Sequence, residues 1–224
     1  MGDAVRFVFV PGASHGPWCW ERVQSALARM GEESLAVDLP IEDEQAGTRE
    51  YADVVLEAMS GVDEDVVLVG HSLGGLTIPL VAAEREIGRL VFVAGVLPVP
   101  GMSLMMQRAR EPEMVFPNLG GSLALRYYNA ATDDDAAWAL GQLRAQAQLP
   151  YDEITPLRSW PDVASSWILG TQDNVVNPQW AIRAARERLG IEAIVMEGAD
   201  HSPFLSRAEE LAHLLIAVTR DVAE

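Results

Sequence analysis

The sequence predicts an α/β fold: an open, doubly wound, mostly parallel sheet in a three-layer sandwich. Three observations carry that prediction. Short runs rich in Val, Ile, Leu and Phe alternate with longer helical patterns. The runs are almost continuously apolar, as strands are when helices cover both faces of their sheet. The chain has 224 residues, 49% of them hydrophobic, which suits one large domain with a substantial core.

The elements follow in order. "VRFVFV" (5–10) reads as the first strand, and a helix follows around 18–30. "SLAVDL" (34–39) is the second strand, followed by the helical "TREYADVVLEAM" (48–59). "DVVLVG" (65–70) precedes "GLTIPLVAAE" (75–84), and "RLVFVAGVL" (89–97) is the fourth strand. "SSWILG" (165–170) precedes the helix "PQWAIRAARERL" (178–189). "IEAIVM" (191–196) leads into a last helix near 207–222. Residues 98–161 break the rhythm, with prolines, a cluster of Met102, Met105, Met106 and Met114, and the aromatics Phe116, Tyr127, Tyr128 and Trp138. The segment is too long for a connection in a compact domain, so it reads as a helical cap inserted after the fourth strand. Residues 1–97 and 162–224 then form the core. The Met and aromatic side chains would either line a plastic apolar pocket or fill the cap's own interior.

The net charge is −17, from 16 basic and 33 acidic residues. That excludes nucleic-acid or anionic-membrane binding through a broad basic surface. No apolar run reaches the ~20 residues of a membrane span. The lone Cys19 permits no internal disulfide and no cysteine zinc cluster, and reads as a small buried hydrophobe. With no visible signal peptide, the expected location is cytoplasmic.

"VVLVGHSLGGL" places Gly70-His71-Ser72-Leu73-Gly74 between a strand and a helix, the context that gives G-x-S-x-G its meaning. A nucleophile there sits on a tight, strained turn, where Gly70 and Gly74 relieve collisions two residues either side. The amide of Leu73, at a helix N-terminus, can face a developing oxyanion. A serine needs a base. His201 in "EGADHSPFLS" follows the last strand, where open α/β sheets place their sites. His71 is expected to project away from the hydroxyl as a bystander, and His213 to lie in packing or at the surface. Asp173 in "GTQDNVV" is the partner that would fix the tautomer of His201, giving the chain order Ser, Asp, His. Asp200 is too near His201 in the chain to face it, and Asp152, Glu153 and Asp162 read as solvated charges. The loop "PGASHGPWCW" offers Ala13 as the second oxyanion donor, with His15 behind the site and Trp18 and Trp20 as packing.

These stretches, "PGASHGPWCWERV", "VVLVGHSLGGL", "GTQDNVV" and "GADHSPFLS", resemble the α/β-hydrolase superfamily across essentially the whole chain. Within it they resemble the branch of plant methylesterases, hydroxynitrile lyases and related bacterial esterases. The resemblance implies Ser72 as nucleophile, His201 as general base, Asp173 as its partner, and Ala13 with Leu73 as the oxyanion hole. Two positions depart from the lyases, Gly12 where they carry threonine and Ser202 where they carry lysine. Pro11 also stands where the branch usually has histidine.

The sequence therefore predicts a serine hydrolase, a carboxylesterase for small or medium hydrophobic esters, methyl esters among them, with no metal or organic cofactor. Two alternatives stay open. One is a small-molecule sensor of the same fold with little turnover; the other is a triad-dependent lactonase, carbon–carbon hydrolase or perhydrolase. Acyl and alcohol specificity and oligomeric state are not encoded in these motifs.

Overall fold

A computed structural model describes residues 6–62, 65–116 and 121–220. Val5 of the first expected strand, residues 221–222 of the last expected helix and residues 117–120 of the 98–161 segment lie outside these ranges.

The core alternates as its apolar runs dictate. β1 (Arg6–Val10) leads through a 3-10 turn (Pro17–Trp20) into α1 (Glu21–Arg29), and β2 (Ser34–Ala36) is followed by α2 (Thr48–Ala58). β3 (Val66–His71) runs into a 3-10 turn (Ser72–Leu76) and α3 (Ile78–Glu84), followed by β4 (Arg89–Val93). Four short helices then intervene: α4 (Leu104–Arg110), α5 (Leu123–Tyr127), α6 (Asp133–Gln142) and α7 (Leu149–Asp152). β5 (Ser165–Gly170), α8 (Pro178–Ala184), β6 (Ile194–Met196), the short α9 (Pro203–Ser206) and α10 (Ala208–Arg220) complete the chain.

All six strands pair in parallel in the order β2-β1-β3-β4-β5-β6. Period-two alternation sorts their side chains onto two faces. Phe7, Phe9, Val67, Val69, Val91 and Val93 pack with α1 and α10 residues such as Val23, Leu27, Leu211 and Leu215. Val8, Leu68, Leu90, Phe92 and Trp167 pack the other way, with Val55 of α2, Leu80 of α3 and Trp180 of α8. Each face is a separate buried cluster, which is the doubly wound sandwich the apolar runs demand. The chain first builds outward from β1 to β2 and then returns to the other side of β1 with β3, so the order reverses between β1 and β3. Loops leaving the carboxyl ends of strands at such a reversal frame a natural crevice.

Three strands are shorter than their apolar runs. β4 ends where Ala94 turns to φ 46°, although its amide still donates to the Ile168 carbonyl at 2.8 Å. β2 ends soon after Val37, whose amide donates to the Phe9 carbonyl, because Pro40 ahead has no amide to give. Ile191, expected at the head of β6, instead donates back to the Ala185 carbonyl and closes the preceding helix.

The helices between β4 and β5 begin at hydroxyl caps, where Ser103, Ser122 and Thr132 accept from the amides of Met106, Leu125 and Asp135. Asp133, Asp134 and Asp135 then favour the positive end of α6. Met114 is buried, but Met105, Met106 and Trp138 are exposed, so the Met cluster is not a shared interior.

Candidate active site

The strand ends bring distant residues together. Ser72 directly follows β3 and holds φ at 47°, a left-handed backbone that costs a non-glycine residue roughly 1–3 kcal/mol. The turn tolerates this because its neighbours have no side chains. A Cβ on Gly74 would lie 2.6 Å from the Pro11 carbonyl oxygen, and one on Gly70 would lie 2.9 Å from the Gly74 carbonyl oxygen. The Ser72 carbonyl accepts from the Val96 amide at 3.1 Å, which pins the turn against the chain beyond β4.

His201 lies in the loop between β6 and α9, and Asp173 in the loop after β5. The His201 Nδ1–H donates to Asp173 Oδ2 at 2.9 Å, and its Nε2 lies 3.0 Å from the Ser72 hydroxyl. A ring whose Nδ1 carries the proton toward a carboxylate has a free lone pair on Nε2, so the Ser72 hydroxyl is the donor in the second bond. The other oxygen of Asp173 accepts from the amides of Val175 at 2.7 Å and Val176 at 2.9 Å. Three donors thus hold the carboxylate in a site that excludes water; Asp173 and His201 are both buried, while Ser72 is partly open.

Residues from the 98–161 segment share a cavity with Ser72 and His201. Val115 pairs antiparallel with Val176, three residues beyond Asp173, and Phe116 donates to the Val175 carbonyl. The enclosed cavity measures about 190 Å³. Ser72, His201, Ala13 and Leu73 line it together with Leu104, Arg108, Arg126, Tyr127 and Tyr151 from the segment. Of the Met and aromatic residues singled out in that segment, Tyr127 lines the cavity and Tyr128 lies behind it, whereas the four methionines are absent from its wall. A wider surface depression between α1 and α10 lies away from the trio and is lined by Arg22, Arg29 and Glu209, which are already ion-paired.

His71 is not the bystander expected from its place beside Ser72. It is fully buried, and its Nε2–H donates to the His201 backbone carbonyl at 2.9 Å, so it fixes the loop that presents the imidazole. The Nδ1 lone pair then faces Gly12, where a Cβ would lie 2.5 Å away and also 2.9 Å from the Ser72 Cβ. The threonine of the lyase pattern does not fit there, and Ser202, where that pattern has lysine, is fully buried. His15 donates from Nδ1 to the Ala13 carbonyl at 2.7 Å and accepts at Nε2 from the Tyr128 hydroxyl at 2.8 Å. Burial drives its pKa down to about 4, and burial, with the neighbouring His201 and His15, drives His71 well below the ordinary imidazole value. Both rings are therefore neutral at pH 7, and neither opposes a positive charge arising on His201.

Asp200 does not face the His201 ring. Its Oδ1 accepts from the Ser202 amide and the Ser206 hydroxyl, and its Oδ2 from the Ala130 amide at 2.9 Å. A fully buried carboxylate next to His201 in the chain thus ties the His201 loop to the 98–161 segment. Its local half was visible as Asp200-x-Ser202 before Pro203, an Asx turn leading into a helix; its partner at Ala130 carries no sequence signal. Glu153 also departs from expectation. It is partly buried and accepts from the Thr48 amide and hydroxyl, so it is not a solvated charge. His213 is exposed, and Cys19 is buried and unpaired.

Comparison with known proteins agrees with this architecture. The alpha/beta hydrolase family model matches residues 7–214. The chain belongs to the alpha/beta hydrolase family. It is 30% identical to rice (Oryza sativa subsp. japonica) "Esterase PIR7B", over 95% of this chain and 94% of that protein. It is 26% identical to Arabidopsis thaliana "Methylesterase 2", over 95% of both. The crystal structure of polyneuridine aldehyde esterase superposes with a TM-score of 0.80 at 23% identity, covering 97% of this chain and all of that one. Among the described residues, no helix is long and apolar enough to cross a membrane.

Proposed function

We propose that this α/β hydrolase is a serine carboxylesterase whose nucleophile is Ser72. The observation that carries the reading is the unbroken chain from Asp173 through His201 to Ser72, opening into a cavity. His201 Nε2 takes the Ser72 proton as Oγ attacks the ester carbonyl, and Asp173 stabilises the imidazolium that results. The imidazolium then protonates the departing alkoxide, leaving an acyl-enzyme. Water, deprotonated by the same nitrogen, attacks the acyl carbon, and the proton returns to Ser72 as the carboxylic acid leaves.

Two amides suit the oxyanion. The Gly12 carbonyl is engaged by the His15 amide, and the Ser72 carbonyl by the Val96 amide. In a planar trans peptide the N–H points opposite its carbonyl, so the amides of Ala13 and Leu73 are turned away from those bonds. Both residues line the cavity beside Ser72. Each such donor is worth about 3 kcal/mol in the transition state. We assign residues 98–161 the role of a cap over the site, with the remainder as the core. The esterase and methylesterase relatives support a small ester as substrate, and the lone buried thiol suits a reducing cytoplasm.

The test is direct. A fluorophosphonate should label the wild-type protein and fail to label Ser72→Ala, and p-nitrophenyl and methyl esters should be turned over only by the former. Undiminished turnover in His201→Ala would remove His201 as the base.

A further inference from the structure

The cavity that Ser72 lines holds a feature that ester hydrolysis does not use. Arg108 of α4 and Arg126 of α5 both line it, partly buried, and no Asp or Glu does so among the described residues. Several other arginines of this acidic chain find carboxylates: Arg22 pairs with Asp135, Arg144 with Asp38, Arg183 with Glu113 and Arg188 with Glu111. The polar contact of the Arg108 guanidinium is the Met105 sulfur at 3.7 Å, a weak acceptor. The Arg126 guanidinium has no ion pair or hydrogen bond within the described residues. Two uncompensated cations in one cavity are conspicuous in a chain with 33 acidic residues against 16 basic ones.

Arg108, Arg126 and Tyr151 line the same small cavity. Burial pushes the Tyr151 pKa up to about 12, and both arginines pull against that rise. The same cavity is also lined by the apolar side chains of Leu104, Val115, Val175 and Val176. At about 190 Å³ the space falls below the roughly 300–1,000 Å³ of typical ligand pockets, so the occupant is short.

We infer that the substrate is a short ester bearing a free carboxylate at its far end, such as the monoester of a dicarboxylic acid. The carboxylate is received by Arg108 and Arg126, and the ester carbonyl lies at Ser72. Planar guanidiniums match a carboxylate through paired N–H donors and are the preferred side chains for this task in a partly dehydrated site. The overall negative charge repels an anion from the surface, so the local pair must supply the attraction. The inference rests on the esterase reading for the placement of the carbonyl, but the anion subsite is testable without turnover.

Monomethyl glutarate and methyl pentanoate have equal chain length and differ in carboxylate against methyl. In Ser72→Ala, titration calorimetry should show monomethyl glutarate bound at least about tenfold more tightly, as hydrogen bonds to charged groups allow. Added salt should narrow the gap. Adding Arg108→Gln and Arg126→Gln to that variant should abolish it, while Arg126→Lys should retain part of it. In otherwise wild-type enzyme, the double Arg→Gln variant should raise KM for the charged ester at least about tenfold more than for the neutral one. Equal binding of the two ligands, or equal losses on both esters, would overturn the inference. Serine labelling and methyl pentanoate hydrolysis without a charge preference would overturn it and leave the esterase reading intact. Charge-selective binding without labelling would uphold the subsite and remove the esterase reading.

Discussion

Ser72, Asp173 and His201 stand beyond the carboxyl ends of β3, β5 and β6; β3 and β5 are almost wholly buried, and β6 is a short edge strand in which Met196 is buried and Val195 exposed. Arg108, Arg126, Tyr127 and Tyr151 share a cavity with Ser72 and His201 from short helices between β4 and β5, which carry exposed Leu123, Leu125 and Met105. The floor at the strand ends is held by a continuous parallel ladder and two apolar clusters. The roof between β4 and β5 shares those clusters, through Leu104, Met114 and Leu157 on one face and Tyr128, Ala136 and Ala139 on the other. It adds individual polar links: Ala130 to Asp200, Tyr128 to His15, Asn129 to the Gln172 carbonyl and Asn174 to the Leu125 carbonyl. A rigid floor suits chemistry, which needs its atoms placed to a fraction of an ångström, and a roof with links of its own leaves substrate choice free to vary. On this division, changes in the floor act on kcat and changes in the roof act on KM or stability.

The largest effect tests the floor. Ser72→Ala should lower kcat by at least about 10⁴-fold, with thermal unfolding close to wild type. Part of the strain at φ 47° persists in the alanine, so no large gain in stability is expected. Residual turnover within tenfold of wild type would mean that the nucleophile lies elsewhere.

Ser72, Asp173 and His201 were legible in the sequence because each sits in a local pattern at the end of an apolar run: Gly-x-Ser-x-Gly, Gly-Thr-Gln-Asp and Gly-Ala-Asp-His. Strand existence was legible for the same reason, since burial on both faces writes itself as continuous Val, Ile and Leu. Strand ends were not, because they depend on events such as the positive φ of Ala94. His71 and Asp200 escaped because their partners, the His201 carbonyl and the Ala130 amide, are backbone atoms that any residue supplies. The roof was legible only as an interruption. Its polar links pair single side chains with distant loops and leave no period to read.

Asp200 joins the two regions and should give the next largest effect. Asp200→Ala leaves the Ala130 and Ser202 amides and the Ser206 hydroxyl without their acceptor in a buried site. Each loss costs about 1–3 kcal/mol. A drop of about 4 kcal/mol in urea-unfolding stability is expected, together with a lower kcat as the His201 loop loosens. A variant that lost stability but kept kcat would show that the roof is joined to the floor without positioning the imidazole.

Acid should loosen the same junction. The folded pKa of His15 is about 4, against 6.5 for the free side chain. Between these values the unfolded chain binds a proton that the folded one does not, so stability falls as pH falls. The contribution is complete above pH 6.5 and has diminished by about 3 kcal/mol at pH 4. His71, shifted in the same direction, adds to the slope. Unfolding midpoints measured from pH 7 to pH 4 should therefore fall more steeply in the wild type than in His15→Gln. Equal slopes would place the acid sensitivity outside this cluster.

The smallest effect separates anchorage from selection within the roof itself. The N-terminus of α2 begins at Gly47, which has no side chain to cap it; the Glu50 carboxylate accepts from the Gly47 amide at 2.8 Å. The missing cap comes from the far end of the roof, where Glu153 accepts from the Thr48 amide and hydroxyl. A Cβ at position 47 would lie 2.5 Å from the Glu153 carboxylate, so Gly47 is the opening through which that carboxylate reaches the helix. Glu153→Gln removes the charge that favours the helix N-terminus and should cost about 1 kcal/mol. Gly47→Ala should displace the same carboxylate, so the double variant should cost little more than the larger single one. Neither residue lines the catalytic cavity, so kcat/KM should hold within twofold in all three variants. A change in KM alone would show that fastening the roof and choosing the substrate are one task; additive stability losses would show that Glu153 and Gly47 act on α2 independently.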